Sequence, residues 1–197
     1  MSRRVITISR EYASGGHTIA KVLSEELGIP FYDTQIIDEV VKKTGLEKEV
    51  VENAEKQVTS SFLFNLVMGM GAQNNYYEKI YKAQKDFVYS KLNEGPCIFV
   101  GRAANFILGQ DIEQLRVFVY STLDKRIEYA IKNYKLTKEQ AQETIIRSDR
   151  DRALQSKNYY DKVWGARANY DVMLNAGELG VDGCVKILAR IFRDGEI

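Results

Sequence analysis

Residues 5–28 read VITISREYASGGHTIAKVLSEELG, and no other stretch limits the fold as tightly. Val5 to Ser9 is short, β-branched and apolar, the pattern of a buried strand. Gly16 to Leu27 carries an apolar stripe of Ile19, Ala20, Val22, Leu23 and Leu27, and Gly28 with Pro30 ends it. Strand, small-residue loop and helix in direct succession open a βα unit, and such units build parallel sheets. Ser14, Gly15 and Gly16 let backbone N–H groups converge on an anion with little Cβ obstruction. The helix start adds unpaired N–H groups and the positive dipole end, with His17 placed to donate to the same anion. Thr18, within the first turn, offers a hydroxyl to a phosphate-bound Mg²⁺. The phosphate-loop pattern is G-x-x-x-x-G-K-S/T. Counted back from Gly15, Arg10 stands at its first glycine and Gly16 at its lysine. The competing reading is a tight turn that merely joins strand to helix.

The rest of the chain repeats the alternation. A short strand is predicted over Pro30 to Tyr32, with Asp33 at its exit, then a helix from Thr34 to Lys43 and a polar helix from Leu46 to Lys56. Residues 58–75 are apolar and glycine-interrupted, and are expected to form a mobile segment or a cover rather than a regular element. A long helix is predicted from Tyr76 to Asn93, a strand over Cys97 to Val100 and a short helix from Ala103 to Leu108. Leu115 to Tyr120 reads as a strand, with Ser121 and Asp124 as the capping signature of the next helix. Thr137 and Gln140 form a second capping signature, opening a helix that runs to Arg152 or beyond. Tyr170 to Leu174 reads as the last strand and Val181 to Phe192 as the last helix. Five strands separated by helices predict an α/β fold with a five-stranded parallel sheet flanked by helices. Ligands of such sheets gather beyond the carboxyl ends of the strands.

Composition narrows the function classes. A net charge of +1 gives no general case for a polyanion-binding surface, so neither nucleic acid nor membrane is an expected partner. Cys97 and Cys184 sit in apolar surroundings and read as buried free thiols. One histidine and no CxxC pair argue against zinc. No apolar run approaches about 18 residues, and the MSRR start leads into no signal-peptide pattern. The expected compartment is the cytoplasm.

Further motifs share a family likeness. SREYASGG resembles the S-R-x-x-G-S-G-G loop of the cytidylate kinase-like proteins, a branch of the P-loop nucleoside monophosphate kinases, with Ala13 as its departure. LGIPFYDTQII looks like the second strand and exit of that fold, with Asp33 and Thr34 beside the monophosphate. IFVGRAANFIL resembles the D-G-R-D segment, retaining Gly101 and Arg102 but carrying Val100 and Ala103 at the two acidic positions. RSDRDRALQ resembles the R-D-x-R-D-x-x-R helix: Arg147 and Asp151 match, and Leu154 replaces the last arginine. The resemblance implies a three-layer P-loop NTPase fold of the nucleoside monophosphate kinase type over residues 1–197. Within it, residues 34–94 would form a helical acceptor-side subdomain and 125–160 a lid-like helical region. It implies phosphoryl transfer from ATP with Mg²⁺ to a small-molecule nucleotide, CMP or dCMP first. The missing lysine leaves open a phosphate-binding sensor without turnover, and Ala103 leaves open a kinase for another small hydroxyl substrate.

Such chemistry needs positioning and charge neutralisation, which guanidinium forks supply. The candidates are Arg10, Arg102, Arg147, Arg150 and Arg152. Ser14, Gly15, Gly16, His17 and Thr18 are candidates for the donor phosphates. Asp33, Thr34, Arg102, Arg147 and Asp151 are candidates for the acceptor, and Thr18 and Asp33 for Mg²⁺. Each has an ordinary alternative. Arg10 either replaces the lysine or pairs with Glu11 or Asp33. Asp33 either serves the site or caps a helix. Arg102 either meets a phosphate or is a surface arginine at a helix start. RSDRDR is otherwise a solvated face of alternating charge. Trp164, Tyr159, Tyr160 and Tyr170 are expected to pack the last helix against the sheet, with base stacking as the alternative.

Overall fold

The structure is a computed structural model that describes residues 5–51 and 74–194. Five parallel strands run in the order β2-β3-β1-β4-β5. They are β1 (Val5–Arg10), β2 (Phe31–Tyr32), β3 (Cys97–Val100), β4 (Gln114–Tyr120) and β5 (Val172–Asn175). The helices are α1 (Gly16–Leu27), α2 (Gln35–Thr44), α3 (Asn74–Glu94), α4 (Ala104–Leu108), α5 (Leu123–Tyr134), α6 (Lys138–Tyr160) and α7 (Ala176–Asp194). The expected cover over 58–75 lies outside the described residues except for 74 and 75, which begin α3, and the helix expected over 46–56 is described only as far as residue 51, with helical backbone from 48. The last helix begins earlier than its apolar stripe suggests, because it is two helical pieces joined at Gly180, whose φ is +67°.

Period-two alternation sorts the sheet into two buried faces. Ile6, Ile8, Ile98 and Val100 face α1 and α7, where they meet Ile19, Leu23, Cys184 and Leu188. Val5, Cys97 and Phe99 face the opposite way, onto Ile36, Val40, Val88 and Leu108. Both cysteines are free and buried. A third cluster, Ala13, Ile127, Ala130, Ala141 and Ile145, packs α5 and α6 onto the first loop. Three layers with β1 central place the strand exits of β1, β3 and β4 side by side. Pairing of Ile8 with Val100 and of Arg10 with Val119 fixes that alignment.

Of the two capping signatures in the sequence, one forms the cap it predicts. Thr137 and Gln140 form the expected capping box, Thr137 Oγ1 accepting from Gln140 N at 3.2 Å and Gln140 Oε1 accepting from Thr137 N at 2.9 Å. Ser121 does not cap α5: the cap position is Thr122, and the Ser121 hydroxyl is buried without a partner. Its backbone N–H instead donates to Glu11 Oε2 at 3.1 Å, which pins Ser121 one residue ahead of the Thr122 cap. The aromatic residues also pack differently from expectation. Trp164 and Tyr170 close on Phe118 of β4, at ring separations of 5.2 and 4.9 Å, and Tyr160 on Phe106 of α4 at 5.3 Å. Among the described residues, no helix is long and apolar enough to cross a membrane.

Candidate functional site

The first loop is bent by two left-handed residues, Ala13 (φ +59°) and Gly15 (φ +86°). The Ser14 hydroxyl is turned inward, 2.9 Å from Glu11 O and 3.1 Å from Val119 O, so it ties the loop to β4. What remains for an anion is the backbone: helix geometry leaves the N–H groups of Gly16, His17 and Thr18 without intrahelical acceptors. The first turn of α1 contains no acidic residue to compete for them. Thr18 Oγ1 is 2.8 Å from Tyr129 Oη. A threonine hydroxyl has one proton and two lone pairs. If that proton is given to Tyr129, a lone pair stays available to a cation.

Arg10 fills the space the loop leaves. A methyl group at Gly16 would lie 2.6 Å from Arg10 Cβ and 2.9 Å from Cγ, and one at Gly101 would lie 1.6 Å from Arg10 Nη1. The two glycines therefore form a slot in which the arginine runs from the loop to the end of β3. Its Nη2 ends 3.4 Å from Asp33 Oδ1. His17 Nδ1 lies 2.7 Å from Asp33 Oδ2. Both carboxylate oxygens of Asp33 are thus engaged, and Asp33 is no helix cap. Thr34 holds the cap position of α2 without a side-chain hydrogen bond, and Asp33 N donates to Gln35 Oε1 at 2.9 Å.

On the other side the loop is clamped by a charge network that the sequence reading did not single out. Arg126 of α5, 6% exposed, donates from Nε to Tyr12 O at 2.7 Å and from Nη2 to Asp149 of α6, and its Nη1 lies 3.2 Å from Glu11 Oε2. Asp149 also accepts from Tyr12 N at 2.8 Å and from Arg152 Nη1 at 3.1 Å. Burial pushes the Glu11 carboxyl up, against the pull of the Ser121 N–H and Arg126. The only sequence signal for Arg126 was its place beside Ile127 and one turn before Ala130, on the buried stripe of its helix.

A narrow cleft of about 30 Å³ opens between the β3 exit and α6. Its walls include Arg10, Arg102, Asn105, Arg152, Gln155 and Trp164, and none of its lining residues is acidic. Burial depresses the Arg152 guanidinium well below its ordinary value, to about 10, and the charges of Arg10 and Arg126 push the same way against Asp149. Three guanidinium groups around one cleft, two of them shared with Asp33 and Asp149 outside its walls, favour an anion there. Arg102 and Ala103 both adopt left-handed φ, +54° and +52°, which turns the chain sharply at the cleft wall.

The remaining candidates scatter around this centre. Arg147 is exposed on α6, near enough to Tyr12 for its charge to act on the phenol. Arg150 is exposed and 200° around the helix from Arg152, counting 100° per residue. Asp151 is half-buried but does not line the cleft. Of the helix run RSDRDR, the structure brings Asp149 and Arg152 to the loop.

A family model described as the cytidylate kinase-like family matches residues 5–178. No curated protein matches. An uncharacterized protein from Eubacterium ventriosum is similar in structure, with 22% identity, a TM-score of 0.73 and coverage of 97% of this chain and 99% of that one. A shikimate kinase from Bacteroides thetaiotaomicron gives 12% identity and a TM-score of 0.53, covering 96% of this chain and 98% of that one. A shikimate kinase from Acinetobacter baumannii, solved in complex with shikimate, gives 10% identity and a TM-score of 0.51, covering 99% of this chain and 96% of that one. At such identities the likeness is one of fold, and the fold is that of the P-loop kinases.

Proposed function

The chain belongs to the cytidylate kinase-like family, and we propose that it transfers the γ-phosphoryl group of ATP to a small acceptor, CMP or dCMP first, with Arg10 in the role of the loop lysine. One observation carries this reading. Arg10 threads the slot between Gly16 and Gly101, from the phosphate loop to the acceptor-side strand exit. A cation there lies between donor and acceptor, where charge must be neutralised as the phosphoryl group moves.

The backbone N–H groups of Gly16, His17 and Thr18 hold the donor phosphates, and Arg102 and Arg152 hold the anionic part of the acceptor. An acceptor oxygen attacks the γ-phosphorus, the bond to the bridging β,γ-oxygen breaks, and ADP leaves with its electron pair. Mg²⁺ keeps most of its waters and takes few protein ligands. The hydroxyl of Thr18 and the carboxylate of Asp33 suit it, Asp33 giving up contact with Arg10 or His17. Bound there, Mg²⁺ would supply charge neutralisation at the β- and γ-oxygens. Residues 34–94 would cover the acceptor and residues 125–160 the donor, and an ATP-consuming reaction fits the cytoplasm.

A second acceptor class has an observation in its favour. The cleft offers three arginines and no carboxylate for a nucleobase amino group, with Val100 and Ala103 at the family's two acidic positions. A compact hydroxylated anion, as shikimate is for the Acinetobacter baumannii enzyme, suits such walls. The test is ADP release from MgATP with CMP, dCMP, UMP and shikimate in turn. Acceptor-dependent ADP supports transfer. Nucleotide-induced thermal stabilisation with no ADP from any acceptor would overturn it and leave a binding protein. Arg102→Ala is expected to raise the acceptor KM more than the ATP KM, and an equal rise in both would remove Arg102 from the acceptor side.

A further inference from the structure

Both backbone groups of Tyr12 are held by side chains from distant parts of the chain. Its N–H donates to Asp149 Oδ1 of α6 at 2.8 Å, and its carbonyl accepts from Arg126 Nε of α5 at 2.7 Å. Arg126 also donates to Asp149 and lies 3.2 Å from Glu11 Oε2, so the two holders are tied to each other and to the residue before Tyr12. The residue after it, Ala13, has a φ of +59°, a left-handed backbone that alanine seldom adopts. Its methyl group is buried in one cluster with Ile127 and Ala130 of α5 and Ala141 and Ile145 of α6.

A left-handed alanine persists only where its surroundings fix it, whereas glycine takes the same φ freely. The surroundings that fix Ala13 are the two helices that grip Tyr12. A buried charge network adds little net stability over apolar packing of similar volume. What this one supplies is direction. The Tyr12–Ala13 peptide is trans, so fixing its carbonyl also fixes the Ala13 N–H on the opposite edge. That peptide leads through Ser14 and Gly15 into the first turn of α1.

Resting on the proposed transfer reaction, we infer that Arg126 and Asp149 are positioning residues for the donor phosphates: by gripping both backbone groups of Tyr12, they hold the left-handed bend at Ala13. That bend sets the path of the loop into the start of α1, where the donor phosphates are held. Neither side chain touches the donor. Both belong to the helical region proposed to cover it, so loop and cover are set as one piece. A chain that loses the grip spends part of its time with the loop unbent, and its MgATP affinity falls in proportion to the bent fraction.

The test measures MgATP binding by calorimetry, without acceptor, and melting temperature. Arg126→Lys keeps a cation between Glu11 and Asp149 but replaces a fork with three partners by one point charge. Asp149→Ala removes the acceptor of the Tyr12 N–H and leaves Arg126 on Tyr12 O and Glu11, so it carries the same prediction should the lysine variant not fold. Each is made with and without Ala13→Gly. Each single variant is expected to bind MgATP about tenfold more weakly, the bent fraction having fallen to about one-tenth. Adding Ala13→Gly should bring the affinity back to within about threefold of wild type, because glycine holds the bend unaided. The melting temperature should fall further at the same time, because a buried methyl group is lost. Those opposite movements identify positioning. Arg152, which Asp149 also holds, offers no route to rescue at Ala13. Wild-type MgATP affinity in both Arg126→Lys and Asp149→Ala overturns the inference and leaves the transfer reaction standing. A loss that Ala13→Gly fails to relieve makes the two residues general supports of the fold and overturns it equally. Failure of wild type to bind MgATP removes the donor site, and the proposed reaction and this inference fall together.

Discussion

The guanidinium of Arg10 lies on the bare α-carbon of Gly101, so near that a methyl group there would sit 1.6 Å from Nη1. The clash is with the far end of a flexible side chain, so Gly101→Ala leaves a folded protein with a displaced Arg10. Its φ of +70° adds about 1–2 kcal/mol of backbone strain to an alanine. For a chain of this length that is roughly 2–4 °C of melting temperature per kcal/mol. The larger expected effect is on nucleotide use: MgATP should bind about tenfold or more weakly, the scale of one charge-assisted hydrogen bond. Unchanged MgATP binding in a variant that melts only slightly lower would take Arg10 out of the donor site.

Writing the missing lysine back should harm the protein. Gly16→Lys brings a Cβ to 2.6 Å from Arg10 Cβ, and overpacking of a rigid site costs about 1–3 kcal/mol. Arg10→Gly removes both obstructing carbons. The double variant is therefore expected to recover stability and MgATP binding relative to Gly16→Lys alone, a coupling that a double-mutant cycle measures. Additive losses would show that the two positions do not share one space.

Much of the fold was legible because apolar periodicity is a strong local signal. VITIS, CIFV and LRVFVY each became a buried strand, and the Thr137–Gln140 box opened its helix. Ser121 misled because its N–H is captured by Glu11, a partner 110 residues away that no local pattern reveals. The slot around Arg10 has the same character: the sequence showed two glycines, but only the paired register of β1 and β3 explains why a side chain at Gly101 would meet Arg10. Asp149 and Arg152 could not be told from Arg150 and Asp151 by spacing alone, since which helix face meets the loop depends on packing by Ala141 and Ile145.

Glu11 sets a pH dependence with a defined sign. Burial raises its folded pKa above the ordinary 4.5. The folded chain then holds the proton to higher pH than the unfolded chain does. This group's contribution to stability is present below about 4.5 and is lost as pH rises through the folded value. Glu11→Gln abolishes that slope. Measured by denaturant unfolding from about pH 4 to about pH 7, wild type should lose stability relative to Glu11→Gln as pH rises. A constant difference across that interval would mean that the carboxyl is not held out of water by the clamp around Arg126.

Arg152 should trade stability for anion binding. Its guanidinium is depressed to about 10 by burial and by Arg10, so the folded chain holds this charge less favourably than the unfolded chain does. The sign follows: the cation's penalty is in full force at neutral pH and would lift only above the folded value. Arg152→Met keeps part of the aliphatic stem and removes the charge, together with the guanidinium contact 5.9 Å from the centre of the Tyr12 ring. It leaves Asp149 still paired with Arg126. Without anions the variant should melt slightly above wild type. Added inorganic phosphate should raise the wild-type melting temperature through preferential binding to the folded state, and raise that of the variant much less. The comparison needs an anion-poor buffer, because sulfate or phosphate would mask the starting difference. A variant that melts lower than wild type without anions, and responds to phosphate as wild type does, would assign Arg152 to holding α6 in place through Asp149 and nothing more.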